Sequence, residues 1–510
     1  MTNTNLAPES AAVPTSKHHR NQSLIRGIIG GALALTLLGS LAVGPIFSLS
    51  QTTSSFSPSF SISPIASDSS TWYCSVPSLT SLPGVSVGIK LANGSKFKQT
   101  ASVAISSSVG LRTLQKRILS PGVIDTIALP SSSSGAVGVS IEFSGGGDFA
   151  AYEITGQSTN SQGFCQPSPG PTWTLQAIST LGSSDGVISL FNPFPSDSIV
   201  DINLISTDGI SSPAPLQALV LAGRQSISID IANWLQNQSS IGVSIQTRVG
   251  RVVPGGIELR SDSKATGVAP VVISPEIFNA YTFPLLGQSI NQSVNLDLYN
   301  YSTNEVKVTV QLQELNVVST TSTTEETKSD DATSSFVEQV PAQSSLSIPL
   351  KSITSIPVGT FFSLTVRDSG LVLPVVTLSG SDSGPTTGYF PEAGNGTSWP
   401  SWLSVLFANP VQSMLGKIAV VYESRSNGSP GLFVRNFYNG TRPLVGADGI
   451  DGQAGLALSG SKTSVNVFGT SNPGGFPSAF ALRSSTYAVL GVAYVMPDGS
   501  LIPVHSIATD

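Results

Sequence analysis

The sequence predicts an all-β protein: tandem Ig-like antiparallel β-sandwich domains behind one N-terminal transmembrane helix. Three observations predict it. One pattern of residues is written four times: an apolar run ending in Asn, an alternating run, a small-residue turn leading into a third run, and a closing hairpin. The repeated Asn93, Asn192, Asn300 and Asn409 stand 99, 108 and 109 residues apart, the size of one sandwich domain. Within the repeats apolar and polar residues alternate. Val306, Val308, Val310 and Leu312 interleave with Lys307, Thr309 and Gln311, the period of a strand with one wet face. Finally, residues 27–49 carry no charge over 23 positions, long enough to cross the hydrocarbon core.

Taken in order, residues 1–26 form a polar tail. Lys17, Arg20 and Arg26 precede the apolar segment and no charge follows it before Asp68, which places the N-terminus in the cytoplasm and the rest outside a cell membrane crossed once. The segment at 27–49 reads as an uncleaved signal anchor. The rival is a cleaved signal peptide, but its best site, Ala42-Val43-Gly44, is followed by Pro45, which signal peptidase tolerates poorly. Residues 50–71, Ser, Thr and Pro punctuated by Phe56, Phe60 and Ile62, read as an extended stalk.

Four sandwiches follow, at 72–167, 171–262, 268–382 and 388–510. Their Asn strands are Val85–Asn93, Gly186–Asn192, Ser293–Asn300 and Leu403–Asn409, and their third strands begin near Ser120, Ala222, Pro341 and Ser459. The expected hairpins reverse at Gly145-Gly146-Gly147, Asp368-Ser369-Gly370 and Asp498-Gly499. A short helix around Ile231 to Gln238 is the one helical expectation after residue 50. Trp72, Trp173 and Tyr281 open the first three units, 21, 19 and 19 residues before the Asn, with Trp399 and Trp402 playing that part in the fourth. An aromatic in constant register reads first as the plug of a sandwich core and second as a platform for sugars. The copies differ mainly in loops. Ser319–Ser335 carries Glu325, Glu326, Asp330 and Asp331, and Ser424–Gly455 is rich in Gly and Asn.

Setting aside Lys17, Arg20, Arg26 and Glu9 leaves 21 basic and 29 acidic residues, a net charge of −8. A nucleic-acid partner needs clustered cations to displace counterions, so that class is excluded. Cys74 and Cys165 are the two cysteines, and they flank the first repeat. Two readings are open: a disulfide tying the first domain's ends, worth ~4–5 kcal/mol in the chain-entropy model, or two buried thiols. An exported chain favours the disulfide.

Catalytic signatures are weak. The exported part has one histidine, His505, in the last strand. G-x-S-x-G occurs at Gly84–Gly88 and Gly182–Gly186, yet neither sits between a strand and a helix as a nucleophile elbow must. One His and two cysteines that the favoured disulfide would occupy supply no zinc set. Glu153 and Glu258 hold matching places but in separate domains, and Glu276, Glu392 and Glu423 are scattered. Asp448 and Asp451 lack the spacing of a calcium loop. The repeated Asn residues read as strand-end turn formers. The expectation is therefore no catalytic residue, no metal and no cofactor.

The segment Cys165-Gln-Pro-Ser-Pro-Gly-Pro-Thr-Trp173, the following SLFNPFPSDSIVDINLISTDG and the later IGVSIQTRVGRVVPGGIEL resemble the actinobacterial DUF5719 family, as does the opening Trp72-Tyr73-Cys74. The likeness covers most of residues 72–510. It departs at Ile178-Ser179-Thr180-Leu181-Gly182, where that family has a Gly-Thr turn. It implies a membrane-anchored or secreted envelope protein without assigned activity, and so carries over no catalytic residue.

The functional expectation is a non-catalytic scaffold or interaction protein of the cell envelope, held in the membrane by its N-terminal helix. Its partners would be envelope proteins. The alternative is a cell-wall glycan binder with Trp399 and Trp402 as candidate glycan-binding aromatics, and a hydrolase is the remote third.

Overall fold

Alternation dictates the sheets. Along Val306–Leu315, buried Val306, Val308, Val310 and Leu312 separate side chains that are exposed or half-exposed, so one face is sealed against a second layer. The computed structural model describes residues 70–380, less 81, 94–96, 111, 121–122, 130–134, 146–147, 157–159, 262–265, 276, 288, 290–291, 316–332, 354–358 and 370, and beyond 380 only the strands given below. The expected tail, anchor at 27–49 and stalk, save residues 70 and 71, lie outside the described residues. Among the described residues no helix is long and apolar enough to cross a membrane.

The described chain is all-β, in several antiparallel sheets consistent with β-sandwich domains. The first repeat holds β1 (Thr71–Val76), β2 (Ser86–Asn93), β3 (Gln99–Ser106), β4 (Arg112–Leu119), β5 (Ile124–Ala128), β6 (Val137–Phe143), β7 (Asp148–Thr155) and β8 (Asn160–Phe164). Its sheets are β1-β6-β3-β4 and β5-β2-β7-β8. The second repeat holds β9 (Thr172–Ile178), β10 (Asp185–Phe191), β11 (Ser198–Ser206), β12 (Gly209–Ser211), β13 (Leu219–Leu221), β14 (Ser226–Asp230), β15 (Ile241–Val249), β16 (Val253–Ser261), β17 (Thr266–Pro270) and β18 (Val272–Ser274). These pair as β12-β11-β15-β9-β18, with β13 also on β11, and as β14-β10-β16-β17. The third holds β19 (Ala280–Gly287), β20 (Gln292–Asn300), β21 (Val306–Leu315), β22 (Thr333–Val340), β23 (Ser344–Pro349), β24 (Phe361–Arg367), β25 (Val372–Gly380) and β26 (Thr387–Phe390), in sheets β19-β24-β21-β22 and β23-β20-β25-β26.

The three repeats share one wiring. The Asn strand always lies between the third strand and the last long strand. The opening strand pairs with the strand expected to begin the closing hairpin. In these three repeats that hairpin does not form, whereas in the fourth Tyr487–Val495 pairs with Leu501–Pro503 as expected. β6 and β7, β15 and β16, and β24 and β25 lie in opposite sheets, so each connection is an arch from one layer to the other. The reason is burial on both sides: β16 and β25 are buried almost throughout without alternation, and each sits beside an Asn strand that needs neighbours on both edges. The order also departs from an immunoglobulin domain, which pairs its first strand with its second and its last with its sixth. Here the first and last strands have exchanged sheets.

In the fourth repeat Trp402–Leu406 pairs with Ala479–Ser484 and Ser506–Thr509, and Ala479–Ser484 pairs in turn with Thr463–Phe468. An extra strand thus separates the Asn-run strand from the third strand. Lys417–Ser424 pairs with Pro430–Asn436 and Tyr487–Val495. Within the segment expected as an insertion, Tyr438–Asn439 pairs with Arg442–Pro443. The helix expected at Ile231–Gln238 shrinks to a 3-10 turn, Ile231–Asn233, whose N-cap Asp230 accepts from Ala232 N.

Candidate functional site

Three of the repeated Asn residues are fully buried and do one job. Asn93 Nδ2 donates to Phe97 O at 2.8 Å and Leu119 O at 3.0 Å. Asn192 Nδ2 donates to Ser196 O at 2.7 Å and Leu221 O at 3.2 Å, and Asn300 Nδ2 to Asn304 O at 2.8 Å and Val340 O at 3.0 Å. The first acceptor is always four residues on, in the Asn's own turn. The second always ends a strand of the opposite sheet, β4, β13 or β22. Each Asn therefore rivets one layer to the other. Asn409 lies outside the described residues.

The aromatics in register belong to the core. Trp72 and Tyr281 are wholly buried and Trp173 nearly so. Trp173 Nε1 donates to Val252 O at 2.9 Å, and Tyr281 Oη accepts from Phe278 N at 2.7 Å. Trp72 Nε1 has no partner among the described residues. Of the candidate glycan-binding pair, Trp399 lies outside the described residues and Trp402 opens a strand.

Cys74 and Cys165 form a disulfide, Cα to Cα 4.5 Å, across a separation of 91 residues. Backbone hydrogen bonds between Tyr73 and Gln166, 2.7 Å each way, reinforce it. The matching carboxylates are occupied by cations: Lys90 Nζ meets Glu153 at 2.9 Å, and Arg260 meets Glu258 at 2.8 Å. Ser86 of the first G-x-S-x-G opens β2, and the second forms the turn into β10. Among the described residues no group of three His, Cys, Asp or Glu could hold a metal ion. His505, Glu276, Asp448, Asp451 and the loop Ser319–Ser335, apart from Thr333 to Ser335 in β22, lie outside the described residues.

What sequence reasoning missed is the joining of the repeats. Between the first and second, Ser75 Oγ donates to Ser189 Oγ at 2.9 Å and Gln225 Nε2 to Ser108 O at 2.8 Å. Glycines admit the contact. A Cβ on Gly255 would lie 1.7 Å from Ser75 O, and one on Gly138 2.1 Å from the Phe191 ring. Val187, Ile257 and Val268 of the second repeat complete the core around Trp72, Cys74 and Ile141 of the first.

Between the second and third, Ala177, Ala269 and Val272 join the third core, and buried polar groups add to that apolar contact. Ala177 N donates to Tyr299 Oη at 3.0 Å, Tyr299 Oη hydrogen-bonds Ser240 Oγ, and Gln176 Nε2 reaches Tyr301 Oη at 3.4 Å. Ala177 sits at φ 64°, a left-handed position costing a non-glycine about 1 kcal/mol, and its N–H is spent across the repeat boundary. Glu258 Oε1 accepts from Ser179 N and from Arg260 Nε and Nη2. Facing them is Asp297, whose carboxyl is pushed up by burial and drawn back by hydrogen bonds from Ser347, Thr377 and Ser240 and by the Arg260 charge. Burial likewise raises Tyr299 and Tyr301. Two buried acids around one buried guanidinium tolerate little displacement, because separating them strands charge in an apolar interior. This cluster defines a register, not a cleft.

Compared with known proteins, the chain matches no family model and no curated protein.

Proposed function

We propose that the chain is a membrane-anchored, extracytoplasmic, non-catalytic scaffold or interaction protein of the cell envelope, built as four tandem sandwiches of Ig-like size behind a signal anchor at residues 27–49. One observation carries the reading: the second repeat is fastened to both neighbours by buried groups, Ser189, Gly255 and Phe191 on one side and Ser240, Arg260 and Ala177 on the other. Domains joined only by linkers move independently. Spending buried hydrogen bonds and an ion cluster on fixing one repeat to the next suits a protein whose work is to hold positions. The disulfide supports an oxidising compartment. The resemblance of the second repeat to the DUF5719 family supports the same placement. Glu153 and Glu258, each held by a cation, leave the hydrolase reading without its pair.

The test has two arms. On intact cells a membrane-impermeant thiol reagent should label a cysteine placed at exposed Val109 (Val109→Cys); labelling that requires lysis overturns the topology. Crosslinkers on exposed side chains such as Arg224 and Ile210 should trap envelope proteins. A chain that traps nothing on any face, or that turns over an envelope polymer when purified, overturns the scaffold.

A further inference from the structure

The β3–β4 pair of the first repeat has an outer edge unlike its counterparts. β4 is an edge strand of eight residues without proline. Its outward face, by period two, carries Arg112, Leu114, Lys116 and Ile118, with Leu114 71% and Ile118 62% exposed. Phe97, 76% exposed, stands at one end beside Lys98, and Val109, 75% exposed, at the turn. Strand edges in soluble proteins are normally shortened, bulged or made polar. The second repeat follows that rule, with the three-residue β13 in this position, and β22 in the third exposes one large aliphatic, Val337. A row of exposed aliphatics along one edge marks a docking surface.

Charge says what kind. Residues 72–167 hold six basic residues (Lys90, Lys96, Lys98, Arg112, Lys116, Arg117) against four acidic ones (Asp125, Glu142, Asp148, Glu153). The exported remainder holds 15 basic against 25 acidic residues, the second and third repeats being acidic and the fourth balanced at six of each. Lys90 is taken by Glu153, and Arg117 lies 3.7 Å from Asp125, which leaves Lys98, Arg112 and Lys116 facing outward among the aliphatics. Alternating cations and aliphatics on one face match an anionic lipid surface, where headgroups take the charges and the acyl boundary takes the apolar chains. The chain supplies the reach. Twenty residues, 50–69, separate the apolar segment from Ser70, a span of at most about 70 Å.

We infer that the β4 edge of the first repeat docks onto the anionic lipid surface of the membrane in which the chain is anchored. The inference rests on the anchor reading above.

The test uses the full chain in vesicles whose acyl chains are brominated, with Leu114→Trp as reporter and the parent chain as blank. In anionic vesicles the added indole should be quenched, and the quenching should vanish in zwitterionic vesicles and at about 1 M salt. Arg112→Glu with Lys116→Glu, both exposed, should weaken quenching on the order of tenfold while melting stays unchanged. An unquenched reporter in anionic vesicles overturns the inference. So does a reporter that responds only when several chains share a vesicle, since the edge then takes a second copy. Resistance of the chain to carbonate washing reads the anchor separately. If the anchor fails, the washed-off chain titrated with the same vesicles still reports on the edge.

Discussion

Asn300 spends its amide on the carbonyls of Asn304, Val340 and Pro341, while its own oxygen accepts from Ser302 N and Ser302 Oγ. Three of those bonds exist only because a short side chain with two donors stands at the end of a buried strand, between a turn and the opposite sheet. Alanine would leave buried carbonyls unpaired at about 1 kcal/mol or more each, so Asn300→Ala should cost on the order of 2–4 kcal/mol. Asn300→Asp keeps the shape but offers acceptors to acceptors, and should cost at least as much at neutral pH. Hydrogen exchange of β20 and β22 is the measurement, and protection within about 0.5 kcal/mol of the parent in both variants would exclude a rivet. The sequence shows these residues plainly, because the turn bond and the strand end recur at fixed spacing. It does not show the bond to the opposite sheet, whose partners lie 26 to 40 residues on with no fixed interval. Tyr299, one residue earlier, is hidden for a similar reason. Its phenol looks like any strand aromatic until another repeat supplies Ala177 and Ser240.

Strands were legible as strands because burial alternates along β11 and β21. Their wiring was not. Two apolar runs joined by a glycine turn read alike whether they pair as a hairpin or arch between layers, and β6–β7 does the second. Asp148, the first residue of β7, carries a consequence of that arch. It stands opposite Asn93, where the third repeat places Val372 and the continued register of the second places Val252. Both its carboxylate oxygens are buried without a partner among the described residues, and burial lifts its pKa to about 7. A carboxyl raised in the fold favours its neutral form. Its contribution is therefore whole below the usual carboxylate pKa near 4, declines as pH rises, and is gone above about 7. Asp148→Val, copying the sister repeats, should flatten the stability of the first repeat between pH 4 and 7. Above pH 7 it should gain roughly 1–2 kcal/mol, a few degrees in Tm. Melting curves across that range decide it, and a variant retaining the parent's slope would mean that another group titrates.

At the scale of the joined repeats the question is whether units that fold by the same rule also unfold together. Composition and periodicity say nothing on this point, since both describe one strand at a time. The informative signal was a glycine inside a strand otherwise made of sheet formers, which marks close backbone approach. Gly138 and Gly255 are such residues. At Gly255 the approach is backbone to backbone, so the neighbour cannot swing aside as the Phe191 ring can at Gly138. Gly255→Ala must then push β1 away from β16, breaking Ser75 from Ser189 and opening the apolar contact of Val187 and Ile257 with the first core. Calorimetry of the full chain should show the first and second repeats melting in one transition in the parent. In the variant the first repeat should leave that transition and melt earlier, by an amount on the order of 2–4 kcal/mol. Because the Cys74–Cys165 disulfide joins two residues of the first repeat and is not broken when β1 shifts, the first repeat still closes its own sandwich, and an early transition would measure the seam and not the fold. An unsplit transition at the parent's temperature would mean that the repeats are coupled through something other than this contact.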